Sequence, residues 1–85
     1  MRHASGAALD GLEPLLAQVR ALPGLREKSR GVFYRRGRAA LHFHEDPAGL
    51  FADVRRGSDA AFTRIPLDLP DGPEQVLAML SDDAV

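Results

Sequence analysis

Asp46-Pro47-Ala48-Gly49 separates two runs of alternating residues, Ala40 to Glu45 and Leu50 to Arg55, and leaves them little choice of structure. Pro47 supplies the fixed φ of the second turn position, Asp46 favours the first, and Gly49 closes the turn. Such a turn joins two antiparallel strands and sets their register. Glu45 then faces Leu50, His44 faces Phe51, Phe43 faces Ala52, His42 faces Asp53 and Leu41 faces Val54. A two-residue turn at Arg36-Gly37 adds a strand before this hairpin, and Phe62 to Ile65 adds one after it. Because a strand presents alternate residues to opposite faces, the register sorts the side chains. Leu41, Phe43, Leu50, Ala52 and Val54, with Val32, Tyr34 and Ala39, form an apolar core face. Phe33, Arg35, Arg38, Ala40, His42, His44, Phe51, Asp53 and Arg55 form a mostly wet outer face.

The flanking segments change period. Leu12, Leu15, Leu16, Val19 and Leu22 recur at helical spacing, with Asp10 or Gly11 as the cap and Pro14 in or just after the first turn. Leu22-Pro23-Gly24 ends this helix, and the basic stretch Leu25 to Arg30 reads as a loop. Pro73 and Glu74 open a second helix whose Val76, Leu77 and Leu80 return to the core. The expected fold is two-layer α+β in the order αββββα, an antiparallel meander of three to four strands with both helices on one face. With 85 residues the chain builds one domain, residues 1–85, in which 1–9 and 81–85 are expected to be flexible. A core of this size gives a few kcal/mol of stability, and a partner subunit would add to it.

Charge and composition exclude several classes. With 45% hydrophobic and 27% charged residues the chain is too apolar for a disordered protein. Its net charge of -1 is that of neither a basic nucleic-acid module nor an acidic tail. Within that balance Arg20, Arg26, Lys28, Arg30, Arg35, Arg36 and Arg38 are opposed locally by Glu27 alone, and the acids beyond Pro66 have no basic neighbour in sequence. The expectation is that these two regions meet, within one fold or across a dimer. Cysteine is absent, which removes disulfides, thiol catalysis and thiolate-bound zinc. No stretch has the apolar core of a signal peptide or the length of a membrane span, so a cytoplasmic protein without membrane contact is expected.

The stretch Ala40-Leu41-His42-Phe43-His44-Glu45-Asp46 is the most chemical in the chain. His42 and His44 share a face with Asp53, which makes a set of three metal ligands conceivable. The plainer reading pairs His42 with Asp53 and packs His44 on Phe51, with no metal and no cofactor. Asp53 could also orient His42 for proton transfer, but no nucleophile accompanies it, so no enzyme is expected. The outer face interleaves Phe33 and Phe51 with Arg35, Arg38, Arg55 and the histidines. It suits a homodimer or protein partner first and nucleic acid second.

Leu22 to Arg56, with its "LPG" and "EK" break and its "LHFHED" and "LFADV" strands, resembles the central part of a small uncharacterised bacterial protein family of similar length. That resemblance implies the same fold and carries no activity. In element order the chain is also similar to the YjbR-like group, for which DNA binding would follow. The long carboxy-terminal half of that group has no counterpart here, and no residue is carried over from it.

Overall fold

The computed structural model describes residues 2–82. In chain order it contains β1 (Arg2–His3), α1 (Gly6–Gly11), α2 (Glu13–Arg20), β2 (Arg26–Ser29), β3 (Val32–Arg35), β4 (Arg38–Asp46), β5 (Gly49–Val54), β6 (Thr63–Pro66) and α3 (Gly72–Asp82). The fold is α+β, an antiparallel sheet with helices at both ends of the chain, and it has more strands than the sequence suggests. The strands run in the order β2-β3-β4-β5-β6, and β1 also pairs with β4.

The central hairpin has the expected register, from Leu41 opposite Val54 to Asp46 opposite Gly49. Asp46 holds the turn by accepting the Ala48 N–H at 2.7 Å. Gly49 has φ 134°, and a Cβ there would collide with the Asp68 carboxylate, so only glycine fits. Leu41, Phe43, Ala52 and Val54 are at most 2% exposed and meet Leu15, Leu16 and Val19 of α2 and Val76 and Leu80 of α3 in one core cluster. Leu12, Leu22 and Leu77 pack on its margin.

Strand β3 departs from expectation. The Arg36-Gly37 turn forms with φ 54° and 75°, and Arg35 opposes Arg38 and Tyr34 opposes Ala39 as expected. Phe33 then opposes Leu41, leaving Ala40 as an extra residue in β4. This bulge reverses β3 relative to the core. Phe33 is 1% exposed within the core, and Val32 and Tyr34 are only half-buried. Arg35 follows Phe33 inward, its guanidinium donating to Pro23 O and Leu80 O, both at 3.2 Å. Ala40, expected on the outer face, is buried with the core.

Other corrections have local causes. The expected helix forms as α2 but is capped at Leu12 rather than Asp10 or Gly11, with Pro14 in its first turn. A separate helix α1 precedes it, since the Pro14 ring, which obstructs the carbonyl four residues back and offers no N–H, prevents the two from being continuous. Residues 2–9, expected to be flexible, enter β1 and α1: Leu9 is buried and Ser5 N–H donates to Glu45 Oε1 at 2.6 Å. Ser81 and Asp82 likewise belong to α3, and residues 83–85 lie outside the described residues. The basic loop is strand β2, steadied by Lys28 over the Tyr34 ring at 4.4 Å. Arg20 and Arg30 find acids nearby, Glu13 and Glu27 for the first, Asp10 and Glu13 for the second, while Asp83 of the expected acidic region lies outside the described residues. The strand after the hairpin forms as β6, with Ile65 in the core.

The bulge gives a test of the register. Phe33→Ala should lower unfolding free energy by about 3–5 kcal/mol, and Tyr34→Ala by about 1 kcal/mol. Urea denaturation of both variants checks this, and the reverse order would restore the unbulged strand.

Candidate metal centre

His42 and His44 are two residues apart on β4 and face the same side of the sheet, opposite the helices. The third histidine arrives from the amino terminus. Strand β1 pairs with β4 so that Arg2 opposes Glu45 and His3 opposes His44. Ala4 N–H extends this pairing by donating to Phe43 O at 3.0 Å. All the chain's histidines therefore meet: ring centroids lie 5.1 Å apart for His3 and His44, 4.6 Å for His42 and His44, and 5.8 Å for His3 and His42. One nitrogen from each lies within 4.8 Å of the others. His3 is exposed, and the other two are half-buried.

The inner nitrogens have no satisfied hydrogen bond. Among the described residues His42 Nδ1 and both nitrogens of His44 are buried without a hydrogen-bond partner. His44 Nε2 is 3.1 Å from Asp53 Oδ2, but off the direction of an N–H···O bond. Buried polar atoms without partners are uncommon and call for a cause. Asp53, itself 5% exposed, is gripped by Arg64, whose Nε and a terminal nitrogen each donate at 2.8 Å. Arg64 is the main reason the Asp53 carboxyl titrates below its usual range. Burial pushes the His42 imidazole below its ordinary value, and His44 adds to this while Asp53 opposes it. Phe62 packs beside His42 in a T-shaped contact at 4.7 Å, and the Arg55 guanidinium lies over the Phe62 ring at 4.3 Å.

The expected outer face is thus only partly assembled. His42, His44 and Asp53 come together, but it is His44 that approaches Asp53, and the ring partners of His44 are His3 and His42 rather than Phe51. Phe51 opposes His44 in register and is half-buried. Phe33 and Arg35 are buried, and Phe62 takes the aromatic place foreseen for Phe33. Arg38 is drawn to the 57–59 loop, donating to Gly57 O at 2.9 Å and Asp59 O at 2.6 Å. His3, Phe62 and Arg64 are additions. Arg64 opposes Asp53 across β5 and β6, a register that no short turn announces.

No protein-family model, no curated protein and no solved structure matches the chain. No helix among the described residues is long and apolar enough to cross a membrane.

The titrations have a definite sign. A folded pKa below the ordinary 6.5 means that the fold favours neutral His42, so its contribution is complete above 6.5 and is lost as pH falls through the lowered value. Asp53, also lowered, contributes above its ordinary 3.8 and loses that contribution at more acid pH. Thermal unfolding in chelator should show a midpoint that declines on acidification from pH 6.5 and declines again in the carboxylate range. His42→Gln should remove the first decline.

Proposed function

We propose that the chain binds one divalent late transition metal ion, of the zinc class, through His3, His42 and His44. The observation that carries this reading is the convergence of three imidazoles, with His42 Nδ1 and both nitrogens of His44 buried without a hydrogen-bond partner among the described residues. Neutral imidazole is a favoured ligand for such ions, and depression of the His42 pKa keeps that ring neutral at physiological pH. Bonds of about 2.0–2.1 Å place ligand nitrogens ~3.3 Å apart in a tetrahedral site. The three ligand nitrogens already lie within 4.8 Å of one another, and the exposed His3 ring is the one least held by its surroundings. Asp53 lies where it can orient His44 from behind, and Arg64 orients Asp53 in turn, an arrangement that supports ligand basicity. Three protein ligands leave a coordination position for water or an external ligand. The function proposed is binding of the ion.

Self-association through the outer face has less support. Phe33 lies in the core, and Leu69 is the one strongly exposed large apolar side chain among the described residues. Nucleic-acid binding across that face loses Phe33 and Arg35 to burial.

Untagged protein titrated with zinc or cobalt(II) in a calorimeter should saturate at one equivalent. Asp53→Asn should weaken binding by about tenfold to a hundredfold, and His3→Ala by at least as much. Metal at a hundred times its dissociation constant should stabilise the fold by about 2.7 kcal/mol. Absence of saturable binding, or affinity unchanged in His3→Ala, would remove the proposal.

A further inference from the structure

A second site lies where the β3–β4 turn and the end of β5 approach each other. A recess of about 190 Å³ there is lined by five arginines, Arg35, Arg36, Arg38, Arg55 and Arg56, the remaining lining being alanine and glycine. Five of the chain's eleven Lys and Arg therefore surround one small volume, in a protein whose net charge is -1. Among the described residues the lining contains no carboxylate.

The way the guanidiniums are held matters more than their number. Arg38 is fixed by the carbonyls of Gly57 and Asp59, and Arg55 by the Ala39 carbonyl at 3.1 Å and by the face of Phe62. Arg35 is fixed by the carbonyls of Pro23 and Leu80 and is only 8% exposed. At Arg38 and Arg55 these partners orient the guanidinium without cancelling its charge. Arg56 meets the carboxylate of Asp59 at 3.1 Å. Among the described residues no carboxylate bonds to Arg36, Arg38 or Arg55. Arg36 adds a backbone observation: its φ of 54° lies in the left-handed region, where glycine or asparagine is the easier choice for such a turn. A bulky cation held in that conformation at the rim of a cavity is the kind of local strain that accompanies binding sites.

We infer that this recess binds a phosphate-type oxyanion of a small ligand, such as a diphosphate group. Guanidinium forks match the oxygens of phosphate in pairs, and several forks around one volume suit a multiply charged group with many acceptors better than a single carboxylate. The volume equals that of about six waters, enough for a diphosphate. The inference is independent of the histidine site.

Inorganic diphosphate titrated into the full chain at low salt, with chelator present so that no metal at the histidines contributes, should show one saturable site that weakens as salt rises. Arg36→Gln and Arg55→Gln should each lower affinity by about tenfold. Arg26→Gln removes the same charge from β2, outside the recess, and should leave affinity within about twofold, because only Coulomb attraction at a distance is lost. Circular dichroism confirms that each variant is folded. Binding of a short oligonucleotide that diphosphate displaces, and that the recess variants weaken, would place the same phosphate chemistry on a polymer. Equal losses in Arg26→Gln and Arg36→Gln, or no saturable diphosphate binding below about 1 mM, would overturn the site.

Discussion

Strand β4 is nine residues long and β3 beside it is four, and the unpaired backbone this mismatch leaves organises much of the rest. Beyond Leu41, β3 no longer covers that edge of β4. Exposed strand edges must be paired, covered or blunted, because each free N–H and C=O is a costly group to leave without a partner. The chain supplies its own amino terminus. Strand β1 takes the place beside His44 and Glu45, Ala4 bonds to Phe43 O, and Glu45 receives the Ser5 N–H. Closing the edge in this way brings His3 against His44. The histidine cluster is a consequence of strand pairing.

Much of this was legible from residues alone, and the limits are physical. The hairpin could be read because Asp46-Pro47-Ala48-Gly49 fixes a register and the alternation on both sides agrees with it. The bulge could not, since Ala39 and Ala40 are both small and apolar and fit either face, so nothing in the pattern marks which of them is the extra residue. The reversal of β3 follows from that one residue. Strand β2 carries Arg26, Glu27, Lys28 and Ser29, a composition that reads as solvated loop. Glu27 pairs with Arg20, and Arg26 and Lys28 lie exposed on this edge strand, where charge discourages further association. His3 carried one signal, the unequal lengths of β3 and β4, and that signal depends on knowing where β3 ends.

The buried carboxylate of Asp53 ties these parts together. A carboxylate at 5% exposure needs a cation, and Arg64 meets that need with two hydrogen bonds across β5 and β6. The same carboxylate lies 3.1 Å from His44 Nε2, so the group at the centre of the sheet's charge pairing also stands beside a proposed ligand. Strand β1 is only two residues long and lies on the sheet's exterior, the type of segment that opens at low free energy. A metal bound by His3 together with His42 and His44 would cross-link β1 to β4 and make the order of the amino terminus depend on the ion.

If the pairing of β1 with β4 sets His3 to bind metal alongside His42 and His44, as proposed, all three rings must respond to the ion together. Long-range proton–nitrogen NMR of the imidazole rings during a zinc titration tests it most directly, because it reports each histidine separately. The nitrogen signals of all three rings should move together and stop moving at one equivalent of zinc. Movement of His42 and His44 with His3 unchanged, or of none of the three, would contradict it.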